Sequence, residues 1–169
     1  MLPKLVEPRR LAEQRVTLQG QLAIADMPRV AEVAQSSETR AQVEFCFFRD
    51  EDQRIRVTGH VKGCIDLICQ RCLEPVNTEF DQSVELVAVW GDDQSKAVPR
   101  EFDPWEVGEQ ANLYELIEDE ILLALPVVVM HPPGACQAPF FSQAEEILEQ
   151  KEGRQRPFDI LRDLTKSSD

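Results

Sequence analysis

The stretch Asn112-Leu113-Tyr114-Glu115-Leu116-Ile117-Glu118-Asp119-Glu120-Ile121-Leu122-Leu123-Ala124-Leu125-Pro126 carries the clearest periodicity in the chain. Asn112 is placed to cap a helix, and Glu115 follows at the third helical position, a variant of the capping box. Pro126 ends the helix, because it lacks an N–H and disfavours a helical residue before it. At about 100° per residue, Leu113, Leu116, Ile117, Ile121, Leu123 and Ala124 share one broad apolar stripe. Glu115, Glu118 and Asp119 lie opposite, with Leu122 among them. Glu120 falls inside the stripe, where an unpaired carboxylate is costly. The stretch therefore reads as an amphipathic helix over 112–125 that packs on another layer and needs a partner for one carboxylate.

That other layer is legible upstream as a sheet. Val16, Leu18, Gly20, Leu22 and Ile24 alternate with Arg15, Thr17, Gln19 and Gln21, the pattern of a half-buried strand. Asp26 reads as the cap of a short helix through about Ala34, with Pro28 in its first turn. Val43, Phe45 and Phe47 continue the period of two, and the polar cluster Arg49-Asp50-Glu51-Asp52-Gln53 turns residues 40–49 into 54–62 as a hairpin. On the return strand Ile55, Val57, Gly59 and Val61 face one way, and Arg54, Arg56, Thr58, His60 and Lys62 the other. Gly63 predicts a bulge or bend before Ile65 and Leu67 continue inward. Phe80 to Trp90 reads as a further strand.

The fold expected is α+β, with an antiparallel, strongly curled sheet of about five strands, the 112–125 helix packed against it, and short C-terminal helices. Residues 1–150 read as a single domain, opened by an arm at 1–12 and interrupted by a long, mobile acidic linker at about 91–111. Residues 151–169 read as a flexible tail. Ser142 is placed to cap a short helix through about Gln150. In the tail, Pro157 starts another, with Phe158, Leu161 and Leu164 on one side. That apolar side suits either the chain's own domain or a partner groove.

A 169-residue chain with 43% hydrophobic and 29% charged residues is ordinary for a globular protein. No N-terminal apolar core with a cleavage site appears, so no secretory signal is expected. The run Ile121 to Met130 is too short to cross a bilayer and is broken by Pro126. Five cysteines, an odd number, fit reduced thiols in a cytosol-like compartment. Net charge is −13 and uneven: residues 1–62 hold 10 Lys/Arg against 9 Asp/Glu, and residues 63–169 hold 8 against 22. Such a balance argues against a dominant phosphate-binding surface and favours basic protein partners. Arg54, Arg56, His60 and Lys62 form the one basic stripe, which reads either as an RNA-facing row or as a plain solvated strand face.

Cys69-Gln70-Arg71-Cys72 ends a strand at a turn, and His131 with Cys136 follows the 112–125 helix. Three thiolates and an imidazole make an acceptable tetrahedral zinc set, the alternative being buried or merely reduced side chains. A redox role for Cys69 and Cys72 is the weaker reading, because no helix pattern begins there to lower a thiol pKa. No nucleophile–base constellation, phosphate-cradling glycine loop or dinucleotide fingerprint accompanies His60 or His131. Arg71, inside the CxxC loop, is the expected partner of Glu120, since its planar fork can grip a carboxylate with two bonds.

Cys-Gln-Arg-Cys-Leu (69–73), Leu-Ile-Glu-Asp-Glu-Ile-Leu-Leu-Ala-Leu-Pro-Val (116–127), His131, Cys136 and Pro-Phe-x-x-Leu-x-x-Leu (157–164) together resemble the YceD family of large ribosomal RNA subunit accumulation proteins. The resemblance implies a cytoplasmic, non-enzymatic factor that supports synthesis, processing or stability of the 23S ribosomal RNA, with no membrane or small-molecule substrate. It supplies no mechanism. Charge narrows the routes to two: the basic row and N-terminal arm touch RNA, or the acidic half binds a basic ribosomal protein or large-subunit assembly factor. The second is favoured, because the negative excess outweighs any local basic patch. A cytosolic redox or metal-handling protein using Cys69 and Cys72 is the alternative from another class.

Overall fold

The computed structural model describes residues 2–36 and 38–136. The helices expected near 142–150 and 157–164, with Phe158, Leu161 and Leu164, and the domain boundary at 150 lie outside the described residues. Residues 1–132 form one compact unit.

In chain order this unit holds β1 (Leu5–Val6), α1 (Pro8–Glu13), β2 (Thr17–Ala23), a 3₁₀ turn (Ile24–Asp26) and α2 (Pro28–Val33). Three long strands follow: β3 (Arg40–Arg49), β4 (Ile55–Ile68) and β5 (Pro75–Val89). Then come α3 (Asp92–Ala97), β6 (Asp103–Glu106), β7 (Ala111–Asn112) and α4 (Leu113–Ala124). The main sheet runs β2-β3-β4-β5-β6, and β1 pairs with β7 in a separate two-residue ribbon.

The α+β architecture and the five-stranded sheet match the expectation; the strand directions do so only in part. β2 to β5 form an antiparallel meander, but β6 runs parallel to β5, with Leu86 opposite Asp103 and Val89 opposite Glu106. The sheet is mixed and not closed, with β2 and β6 at its edges. Its parallel strand comes from the stretch read as a mobile linker. The α3 crossover carries the chain back so that β6 can lie beside β5. The return is held by Val107 N–H donating to Val89 C=O at 2.9 Å and Trp90 Nε1 donating to Gly108 C=O at 2.8 Å. Half-buried Phe102, Trp105 and Val107 are the apolar residues that tie this acidic segment down.

The N-terminal arm is likewise docked. Leu2, Val6 and Ala12 are buried, Leu113 N–H donates to Lys4 C=O at 2.8 Å, and the Tyr114 hydroxyl donates to Leu2 C=O at 3.2 Å. The bulge expected at Gly63 is absent, because pairing continues through Gly63 opposite Phe80. A Cβ at Gly63 would come within 2.9 Å of the Phe80 ring, so the glycine makes room for that ring. Gly59 is tighter still. A Cβ there would lie 1.8 Å from the Glu44 carbonyl oxygen, a backbone atom that cannot turn aside.

The inner face of the meander carries Val43, Phe45, Phe47, Ile55, Val57, Val61, Ile65, Val84 and Leu86. α4 lays Leu113, Leu116, Ile117 and Ile121 over it, all buried. Burying four such side chains contributes roughly 6–12 kcal/mol before entropy is counted, which explains why a helix too short to persist alone is formed here. Its start is as expected: Asn112 Oδ1 accepts Tyr114 N–H at 3.1 Å, and Asn112 Nδ2 donates to Glu115 Oε1 at 2.8 Å.

Two stripe positions differ from expectation. Leu123 is 75% exposed, while Glu118, read as solvent-facing, is 4% exposed. Glu118 is buried by α2, which packs beside α4 and whose N-terminus lacks a capping side chain of its own; Asp26 does not fill that role. Glu118 does. Its Oε1 accepts the N–H groups of Arg29 and of Val30, the latter at 3.1 Å, and its Oε2 accepts Arg29 Nε at 3.1 Å. A long-range carboxylate thus satisfies donors that the helix cannot satisfy internally. Asp119 pairs with the same arginine at 2.7 Å, but with both side chains about half exposed.

Glu118→Ala is expected to lose about 1–3 kcal/mol of unfolding free energy in urea titration, because it strands buried N–H groups. Asp119→Ala is expected to cost below about 1 kcal/mol. Equal effects would refute the capping role. Gly59→Ala is expected to cost at least about 1–3 kcal/mol, since strand backbone must move.

Candidate metal centre and the charged faces of the sheet

β4 ends at Ile68, and the chain reverses through residues 69–74 into β5. Cys69 N–H donates to Glu74 C=O at 3.0 Å and Leu73 N–H to Cys69 C=O at 2.9 Å. Leu73 takes a left-handed conformation, φ 62°, which turns the backbone back toward Cys69. The segment after α4 runs alongside: Gln70 N–H donates to Val129 C=O at 2.8 Å, and Gln70 Nε2 to Val127 C=O at 3.4 Å. This brings His131 to the turn. The His131 Nδ1 is 3.3 Å from Cys72 Sγ, and Nε2 is 3.1 Å from the Pro75 carbonyl oxygen.

The carbonyl can only accept, so Nε2 carries a proton, and in the neutral imidazole Nδ1 then presents its lone pair toward Cys72. Cys69 is fully buried. Burial pushes its thiol up, but the backbone N–H groups of Cys72, His131 and Arg71, joined by the His131 side chain, more than offset this and bring it to about 5. One ligand atom from each of Cys69, Cys72, His131 and Cys136 lies within 4.8 Å of all the others. The four residues named from the sequence are brought together, and their donor set suits one soft, tetrahedral ion. No helix begins at Cys69, so the helix-terminus activation used by dithiol redox sites is missing and the redox alternative is not favoured.

The basic row lies on the outer face of β4, as its alternation requires. Arg54, Arg56 and His60 have acidic partners within the chain. Arg54 Nε donates to Asp50 at 2.8 Å, and its other nitrogen reaches Asp52. Arg56 approaches Glu85 at 3.5 Å, lies 3.6 Å over the Phe102 ring and is 12% exposed. His60 Nδ1 is 3.7 Å from Asp81, and Lys62 sits opposite Asp81 on one side and Gln42 on the other.

Residues 57–165 match the family described as Large ribosomal RNA subunit accumulation protein YceD. The chain belongs to the YceD family. A Haemophilus influenzae relative with that same description is 33% identical over 168 residues, covering 96% of this chain and 95% of the relative. No solved structure matches the chain.

In this YceD chain the expected Arg71–Glu120 pair is not among the ion pairs of the described residues. Glu120 faces β5, where Gln82 Nε2 donates to its Oε2 at 3.5 Å, while Arg71 is exposed on the Cys69–Cys72 turn. Gln82 occupies an inward position between Phe80 and Val84, so α4 and β5 each place one polar group in the same apolar layer. A lone amide in an inward strand row was the signal that could have identified it. Burial raises the Glu120 carboxyl above its usual range; Gln82 opposes this, and the charges of Asp103 and Asp119 add to it.

A carboxyl raised in the folded state costs nothing below its unfolded pKa, and its penalty grows as pH rises through the folded value. Glu120→Gln is therefore expected to raise Tm at pH 7 and to leave it unchanged near pH 3.5. A destabilised variant at pH 7 would show that the carboxylate holds an attractive partner.

Proposed function

We propose that the chain is a cytoplasmic, non-enzymatic biogenesis factor for the large ribosomal subunit, acting on the accumulation of 23S ribosomal RNA through a basic protein partner. The accumulation role rests on family membership and on the relative's name. The protein partner rests on charge. Residues 63–136 hold three basic residues (Arg71, Lys96 and Arg100) against 15 acidic ones, and Arg54, Arg56 and His60 of the basic row face carboxylates of their own chain. Phosphate contacts draw their strength from Lys and Arg that are free to displace counterions. Arg54 and Arg56 are poorly placed for that. Exposed carboxylates such as Asp92, Asp93, Glu101, Glu106 and Glu109 instead give a field that attracts basic surfaces and weakens with salt. Ribosomal proteins and large-subunit assembly factors with basic extensions are partners of the right sign.

The test is a mild pull-down of the full-length chain from lysate, split before washing into nuclease-treated and untreated halves. Large-subunit ribosomal proteins are expected to persist after nuclease, to elute with salt, and to fall at least several-fold when Glu101, Glu106 and Glu109 are replaced by Lys. Loss of all partners with the RNA would replace this reading by direct RNA contact. Recovery of neither RNA nor ribosomal protein would remove the biogenesis role itself.

A further inference from the structure

We infer that Cys69, Cys72, His131 and Cys136 bind one structural zinc ion, and that this ion clamps the segment following α4 onto the turn between β4 and β5.

The geometry specifies a single ion. In a tetrahedral zinc site, Zn–S bonds of about 2.3 Å and Zn–N bonds of about 2.0 Å put neighbouring ligand atoms roughly 3.5–3.8 Å apart. Cys72 Sγ and His131 Nδ1 are 3.3 Å apart, and no pair among the four exceeds 4.8 Å. An iron–sulfur cluster needs longer separations, because bridging sulfides hold ligands of different irons apart. Calcium and magnesium take oxygen donors, and no carboxylate belongs to the set. Three sulfurs and one imidazole fill a tetrahedron, which leaves no open position for water or substrate. A closed set of this kind is structural.

The surroundings of the ligands point the same way. The bond from His131 Nε2 to the Pro75 carbonyl fixes the tautomer that leaves Nδ1 available, the outer-shell device by which ligand imidazoles are oriented.

A physical need for the clamp is visible in the segment it would hold. After α4, Val127 is 94% exposed, and Val128 and Met130 are about half exposed. Val129 alone of these four is buried. Two hydrogen bonds from Gln70 join the segment to the turn, and net hydrogen bonds contribute only about 1 kcal/mol each. Among the described residues, burial and backbone pairing give Val127–Met130 thin support. Metal coordination by residues 59 positions apart in sequence, such as Cys72 and His131, supplies the missing tie. It also fixes one wall of the apolar groove lined by Leu67, Leu73, Leu122, Val127 and Val129.

The test begins with the full-length protein purified through an untagged or non-chelating route, its metals measured by elemental analysis. About one zinc per chain is expected, with copper and iron below roughly a tenth of that. Cobalt(II) added to chelator-stripped protein is expected to give thiolate charge-transfer bands and strong tetrahedral d–d absorption. Cys72→Ser and His131→Ala are each expected to lower zinc affinity at least tenfold, whereas Cys46→Ser and Cys64→Ser leave it unchanged. On chelation, hydrogen exchange should quicken at Gln70–Leu73 and Val127–His131 while β3, β4 and α4 keep their protection. Protein that carries no zinc and gives no tetrahedral cobalt spectrum would overturn the site. Zinc bound at one equivalent with unchanged exchange at both segments would overturn the clamp.

Discussion

The structure depends on one burial event: the apolar side of α4, centred on Leu113, Ile117 and Ile121, closing over the inner rows of β4 and β5. Three other docked elements follow from where that helix lies. The N-terminal ribbon reaches α4's first turn through Lys4 and Tyr114, and α2 reaches its middle through Glu118. The segment beyond Pro126 is delivered to the turn after β4 because the helix ends there. A twelve-residue helix is weak by itself, so helix and sheet stabilise each other and neither is an independent unit.

Much of this was legible because the relevant signals are local. Asn112 and Pro126 delimit α4 by chemistry acting within a few residues, and the alternation from Val43 to Val61 sets faces without reference to anything distant. Both the α+β class and the YceD resemblance were available from such patterns. The convergence of Cys69, Cys72, His131 and Cys136 also came through, since each pair is anchored to an element whose end could be read. Other features were hidden by their dependence on partners far away in sequence. Glu118 looks solvent-facing on a helical wheel, because the wheel knows nothing of the N–H groups that α2 presents 88 residues earlier. Glu120 was correctly marked as buried and given the wrong neighbour: Arg71 has the ideal fork for a carboxylate but lies on the Cys69–Cys72 turn, whereas Gln82 lies directly in the opposing layer. Composition misled at residues 91–111, where acidic residues suggested a solvated linker and a few apolar side chains decided otherwise.

The distribution of charge has a logic at the level of the whole sheet. On the outer face, cationic side chains stand beside anionic ones of the next strand, as Lys62 does with Asp81 in register and Arg56 with Glu85 by contact. Much of the exposed negative charge is carried by the crossover after β5, at Asp92, Asp93, Glu101, Glu106 and Glu109. A partner that senses charge will therefore be oriented before contact, meeting that crossover first.

The short parallel strand β6 has a bearing on solubility. A sheet edge offers unpaired backbone groups to any strand that arrives, and β5, with Val87, Ala88 and Val89 buried in succession, would otherwise expose an apolar run there. β6 covers it with four residues only, and Pro104 among them has no N–H to offer. Asp103 and Glu106 add like charges that repel a second copy approaching along the same edge. The crossover that looked like a mere connection thus covers that stretch of the edge with a short, charged strand that is itself a poor template for another.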